Sequence, residues 1–308
     1  MSIELVKEKY SGAVNTVEIG GFGSKALRIG GQTGMPFLFE EARMPNAPAV
    51  ALEVLDCKPE DWPSHVISAF GGATEDPVRW AGACVSDFGA KILCVRLQSL
   101  HPDWGSGSVN EAIATLRAIL TETGVPLVVV GCGDDERDND ALPKVSQAMK
   151  GENCLFGIAT QTNYKTLAAT CLADGHSIIA ESPIDVNIAK QVNILISDMG
   201  FDPGRIVMHP TTTSLGYGME YVYSIMERSR LAAFIGDRML AMPFILFVGQ
   251  EVWKIKEAKE SRVQGINWEL ATAVSMIQSG GDVVVMRHPE AAQSVMKYVD
   301  TIMSGGRK

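Results

Sequence analysis

From Ala49 onward the chain repeats one pattern: a short apolar run rich in valine and isoleucine, then a longer segment of helical spacing. The runs fall at residues 49–54, 91–97, 125–131, 153–158, 176–180, 205–208, 243–248 and 282–286. Each is nearly continuous in apolar character rather than alternating, as parallel strands covered on both faces are. Between them, Val109, Ile113, Leu116 and Leu120 make one helical stripe; Ile184, Ile188, Val192 and Leu195 a second; Ile266, Leu270, Val274 and Ile277 a third. Ala292, Val295, Val299 and Ile302 supply the last helix.

Punctuation sharpens the pattern. Gly89, Gly124, Gly151, Gly175, Gly200, Gly236 and Gly280 each stand shortly before the next strand, where a helix ends in the left-handed conformation that glycine takes without strain. Asp76-Pro77, Ser182-Pro183 and His288-Pro289 place proline where a first helical turn tolerates it. Eight βα units in succession predict an α/β fold, a closed (β/α)8 barrel of the TIM type over residues 49–308, with function on the rim at the C-terminal ends of its strands. Residues 1–48 read as an N-terminal extension: Thr16 to Ile19, a glycine-rich turn, then Ala26 to Ile29 form a β-hairpin that could plug the N-terminal mouth or reach a partner.

A net charge of −9 with scattered basic residues argues against nucleic-acid binding. Met1 to Leu5 show no signal pattern and no apolar run reaches about 18 residues, so a cytoplasmic protein without membrane contact is expected. The six cysteines form no C-x-x-C pair and read as small buried hydrophobes in a reducing compartment, not as cluster or zinc ligands.

The rim positions offer Glu53 and Asp56, Arg96 and Gln98, the turn Gly131-Cys132-Gly133-Asp134, Thr160 to Asn163, Glu181, His209 to Thr213, Gly249-Gln250, and Arg287-His288. His209 suits a general base or a hydrogen-bonded rim histidine, and Glu181 a functional carboxylate or an ion-pair partner. The Gly131–Asp134 turn could let a flat ligand approach the backbone, or simply be a tight turn. No Walker loop, G-x-G-x-x-G, H-E-x-x-H or G-x-S-x-G appears, and the glycines for a phosphate cradle after the last two strands are incomplete. Asp174-Gly175-His176 begins like the D-x-H-x-x-G corrinoid motif, but Ile179 replaces its glycine.

Longer segments carry a resemblance. Residues 126–133 (PLVVVGCG), 182–191 (SPIDVNIAKQ), 215–221 (LGYGMEY), 224–228 (SIMER) and 286–290 (MRHPE) together resemble the small (delta) subunit of the corrinoid iron–sulfur protein of the acetyl-CoA decarbonylase/synthase, or Wood–Ljungdahl, system. The likeness spans nearly the whole chain and departs at His209, where an aspartate is expected before the proline.

The resemblance implies a heterodimeric methyl carrier in one-carbon metabolism, this chain not being catalytic alone. The large subunit would hold the iron–sulfur cluster and most contacts to a corrinoid (cobalamin), which this barrel would cover. The methyl group would come from methyltetrahydrofolate or another methylpterin through a separate methyltetrahydrofolate:corrinoid methyltransferase, and pass to acetyl-CoA synthase/CO dehydrogenase. Barrel geometry, not the resemblance, nominates Gly131, Gly133, Asp134, Asn163, Glu181, Thr211, Thr212, Gly216 and Tyr217 as corrinoid-facing rim contacts, with no catalytic or metal-ligating residue. Two alternatives stand. One is a stand-alone pterin-dependent corrinoid methyltransferase barrel, reading the pterin through Asn163, Asp185 or Asn187. The other is a scaffold subunit without ligand contact.

Overall fold

The computed structural model describes residues 7–38, 43–105 and 107–305; the first five residues, read above for a signal pattern, lie outside them. Strands β1 (Thr16–Ile19) and β2 (Leu27–Gly30) form the N-terminal hairpin, antiparallel with Thr16 opposite Gly30. The other eight strands are parallel: β3 (Ala49–Leu55), β4 (Leu93–Arg96), β5 (Leu127–Val130), β6 (Leu155–Ala159), β7 (Ser177–Glu181), β8 (Ile206–His209), β9 (Ile245–Leu246) and β10 (Val283–Met286). Their order, β8-β7-β6-β5-β4-β3-β10-β9, runs once around, and a parallel bridge between Met208 and Phe244 closes the ends into a (β/α)8 barrel.

The helices are α1 (Ser64–Ser68), α2 (Pro77–Ser86), α3 (Val109–Thr123), α4 (Asp135–Ala148), α5 (Tyr164–Asp174), α6 (Val186–Asp198), α7 (Met219–Phe234), α8 (Val248–Val252), α9 (Lys256–Glu260), α10 (Arg262–Gln278) and α11 (Pro289–Met303). All seven glycines that punctuate the sequence adopt positive φ, from 59° to 105°, where a side chain would meet its own backbone. Pro77 and Pro289 open α2 and α11, whose N–H groups are capped by the Asp76 carboxylate and the His288 ring.

Two readings need correction. Pro183 does not open a helix: Asp185 is the cap of α6, accepting from Asn187 N and Ile188 N. The helix therefore starts at Val186 and buries Val186, Ala189, Val192, Asn193 and Ile196; of the expected stripe Val192 is fully buried, and Ile184 and Ile188 pack at the edge of the core. In α10 only Ile266 and Ile277 of the expected stripe are fully buried, because the inward face is rotated to include Glu269, Thr272, Ala273 and Met276. Apolar spacing located both helices and most of the residues that pack on the core, but not the full face of each, since it could not anticipate a polar residue turned inward.

Inside the barrel, Ala49, Ala51, Ile92, Cys94, Val128, Val130, Ile179, Val207, Val283 and Val285 form a buried cluster with Val17, Ile19 and Ile29 of the hairpin. The hairpin thus seals the N-terminal end, held also by Gly20 N donating to Asn153 O at 2.9 Å and Asn153 Nδ2 to Glu18 O at 2.8 Å. Beside it, Arg230 of α7 is fully buried and donates to Asp282 Oδ2 and Gly280 O, both at 2.6 Å, and to Met242 O at 2.8 Å. Asp282 also accepts from Phe244 N at 2.7 Å and from the Gln32 side chain, joining α7, the entries to β9 and β10, and the extension. Replacing Arg230 by methionine leaves Asp282 buried without its counter-charge. Urea unfolding is expected to show a loss of about 3–5 kcal/mol, and a loss under about 1 kcal/mol would refute this role.

Candidate functional site at the barrel mouth

Strand side chains alternate in direction, so each inward apolar residue predicts the next inward position two residues on. From Ala51, Cys94, Val130, Ile179, Val207, Ile245 and Val285 that step leads to Glu53, Arg96, Cys132, Glu181, His209, Phe247 and Arg287. The barrel interior is apolar below and turns polar in this last layer, at the C-terminal mouth.

Glu53, 1% exposed, is the centre of that layer. Its Oε1 accepts from Arg96 Nε at 2.7 Å and its Oε2 from Arg287 Nε at 2.6 Å. Burial alone would push its carboxyl up, but the guanidinium charges of Arg287 and Arg96 outweigh burial and hold it down at about 2. Arg96 Nη2 also donates to Gln250 Oε1 at 2.8 Å, and the Arg287 guanidinium lies 4.5 Å from the Trp62 ring centre.

Behind Arg287 stands Glu269, a fully buried carboxyl accepting from Arg287 N at 2.6 Å, Trp253 Nε1 at 2.9 Å and His288 N at 3.2 Å. Burial raises it to about 7 against those three donors. Gly249 closes the packing: a Cβ there would sit 2.6 Å from Arg287 N and 2.9 Å from Glu269 Oε1. Trp62, Trp253 and Glu269 escaped the sequence reading because they lie outside the strand ends. A charged residue on the apolar side of α10 was the available signal for Glu269.

Opposite, His209 Nε2 lies 3.2 Å from Thr212 Oγ1, which accepts from Phe247 N at 2.8 Å. His209 Nδ1 is 3.2 Å from Glu181 Oε1, but off-line for a hydrogen bond, and the ring packs edge-on to Phe247.

The other nominated residues divide by their partners. Gly131 is glycine because the Asp138 carboxyl occupies the place of its Cβ, at 2.2 Å. That carboxylate takes the N–H groups of Cys132 (2.8 Å) and Gly133 (3.0 Å) and faces Cys132 Sγ at 3.2 Å, so most of the turn is already bound within the chain. Burial pushes the Cys132 thiol up to about 12, which keeps it protonated. Asp134 caps α4, and Asn163 is buried, accepting from Thr160 N at 2.7 Å and donating to Ile158 O at 3.1 Å. Asp56, whose carboxyl burial raises, is held by Ser99 N and Oγ at 2.8 and 2.5 Å. Thr211 takes φ +66° and donates to Ser182 O at 2.9 Å, and Gly216 turns the loop at φ +81°. Gly133 and Tyr217 are exposed and Glu181 is partly so; Tyr217 donates to Glu257 at 3.3 Å. The mouth thus brings Glu53, Arg96, Glu181, His209, Thr212 and Arg287 into one layer and leaves Asp134, Asn163, Gly216 and Tyr217 on the surrounding loops.

An apolar barrel sealed below and polar above defines a β/α-barrel protein whose polar side chains gather at its C-terminal mouth. The chain belongs to the family described as CO dehydrogenase/acetyl-CoA synthase delta subunit, matched over residues 16–304. It is 34% identical over 294 residues to the acetyl-CoA decarbonylase/synthase complex subunit delta of Methanopyrus kandleri, covering 93% of this chain and 73% of that one. The subunit delta of Methanothermobacter thermautotrophicus is 33% identical over 300 residues, covering 95% and 76%. In solved structures, dihydropteroate synthase of Xanthomonas albilineans with 4-aminobenzoic acid is similar at TM-score 0.56 and 13% identity, covering 87% of this chain and 96% of that one. The Thermus thermophilus enzyme in complex with 6HMPPP gives 0.56 and 13%, covering 86% and 98%. At that identity the likeness is one of fold. Among the described residues no helix is long and apolar enough to cross a membrane.

The two buried glutamates act on stability in opposite directions. Between pH 4.5 and about 7 the folded chain keeps a proton on Glu269 that the unfolded chain has lost, so stability falls as pH rises through that window. Glu53 contributes stability above about pH 4.5 that is lost as pH falls toward 2. Thermal unfolding followed across pH is expected to show Glu269→Gln flattening the decline above pH 4.5 and leaving the acid limb unchanged. Parallel curves for both proteins would overturn the assignment to Glu269.

Proposed function

We propose that this chain is the barrel subunit of a corrinoid methyl carrier: its mouth covers a corrinoid held mainly by a larger partner subunit with an iron–sulfur cluster. The carrier would take its methyl group from a methylpterin by way of a methyltransferase and deliver it to acetyl-CoA synthase. One observation carries the reading beyond family membership. Large apolar side chains that follow β4 and β8 at the C-terminal mouth face solvent: Trp104 at 53%, Leu215 at 38% and Tyr217 at 53% on loops, and Tyr221 at 63% on the first turn of α7. Exposed aromatics on both sides of a polar mouth fit a surface that a partner covers.

The residues present suit a corrinoid. Ser182 Oγ and Thr213 Oγ1 are buried at the rim without a hydrogen-bond partner, and Glu181 is an acceptor open to the mouth, matching the amide groups of a corrin periphery. When bound, a corrinoid supplies a cobalt that takes up and gives away a methyl group. The chain's own contribution is to orient that ligand, satisfy its polar edge and exclude water from the transferring face. The stand-alone methyltransferase reading is less well supported, because Asn163 is engaged at both ends of its amide, Asp185 caps α6 and Asn187 is exposed on that helix.

Purified alone, the chain is expected to carry neither cobalt nor iron. Co-expressed with its corrinoid-binding partner, it should co-purify in a pair containing both, by metal analysis. Leu215→Glu with Tyr221→Glu should break that pair while the barrel stays folded by circular dichroism. Tight methylpterin binding by the isolated chain would favour the methyltransferase reading, and a pair without cobalt would sink the carrier reading.

A further inference from the structure

The arginines of the mouth have hydrogen-bonding capacity that the protein leaves unused. Each gives its Nε to Glu53, and Arg96 Nη2 meets Gln250. Both Nη atoms of Arg287, and Nη1 of Arg96, find no acceptor among the described residues, and none of the three is sealed from solvent. Yet both side chains are only 11% exposed, far drier than an arginine solvated at a surface. Two guanidinium groups share one carboxylate. The nearby acid Asp138 is taken up by backbone N–H groups, and Glu269 by Arg287 N, His288 N and Trp253. Trp62 covers a face of Arg287, and Glu53 fixes each fork by its Nε, so the free edges are held in place before any ligand arrives. Fixed, half-desolvated guanidinium forks with open donors match a planar or tetrahedral oxyanion better than a neutral amide.

We propose that Arg96 and Arg287 form a subsite for an oxyanion borne by the ligand that the mouth covers. This deepens the methyl-carrier reading and rests on it. Two groups have the right chemistry: the phosphodiester of a corrinoid's nucleotide tail and the carboxylates of a pterin's glutamyl tail. Either would place its oxygens against the Nη edges while Glu53 stays bonded to both Nε atoms.

Calorimetric titration of the full chain with inorganic phosphate, and with glutarate, is expected to show saturable binding at low ionic strength. Arg287→Gln should weaken it about tenfold or more, and Lys254→Gln, on the neighbouring surface, should not. Because Arg287→Gln could unfold, the wild-type chain supplies a second reading: phosphate should slow modification of Arg287 by phenylglyoxal, followed by mass spectrometry. Absence of saturable binding, or unchanged modification of Arg287 under phosphate, overturns the subsite. Competition separates the sources. Displacement of phosphate by cobalamin but not by cobinamide, which lacks the nucleotide tail, assigns the phosphodiester. Displacement by tetrahydrofolate but not by a tetrahydropterin without glutamate overturns the corrinoid as the source and supports the stand-alone methyltransferase reading. Displacement by none of the four overturns the subsite as part of a corrinoid or pterin site. Failure of the carrier reading is read separately, as absence of cobalt from the co-purified pair.

Discussion

A single buried carboxylate organises the mouth of this barrel. Glu53 lies on β3, between β4 and β10 in the sheet, and takes one arginine from each side. A carboxylate out of water is tolerated only when its charge is balanced and its lone pairs are filled. Two guanidinium groups meet both conditions and are fixed in return. The position of Arg96, the plane of Arg287 against Trp62 and the engagement of Gln250 follow from that one residue.

The surrounding polar groups mostly stabilise the chain's own loops. Asp138 gathers the turn after β5, Asp56 the turn after β4, Thr212 the N–H of Phe247, and Glu269 the turn after β10. Carboxylates that accept backbone N–H groups hold a loop in one shape, which suits a surface that must present donors and acceptors in fixed places. The thiol nearest the mouth, Cys132, stays protonated and bonded inward. Such an arrangement holds donors and acceptors in fixed places and keeps this thiol from acting as a thiolate.

Much of the fold was legible in the amino-acid order. Eight runs became eight strands, seven glycines took the left-handed turn, and the hairpin formed where alternating residues flank glycines. Those signals are local: a strand needs apolar side chains on both faces, and a helix end needs a residue free of a Cβ. Rim position was legible as well, since Glu53, Arg96, Glu181, His209 and Arg287 all follow apolar strand residues. Which rim residues combine was not. Gly131, Asp134 and Asn163 looked available and proved to be engaged in turns and caps, while Arg96 and Arg287 retained open donors. Partners such as Asp138, Trp62 and Glu269 come from neighbouring helices and loops at sequence distances that no spacing rule connects.

By itself, the amino-acid order determined the number of βα units, their direction and the rim on which the polar side chains gather, because each depends on contacts within a few residues. Only tertiary structure decided that residues 53, 96 and 287 share one charge, that Glu269 faces inward from α10, and that the hairpin seals the lower end. Closing the sheet brings β3 beside β10 across more than two hundred residues, and a Coulomb contact exists only at the distance that closure creates.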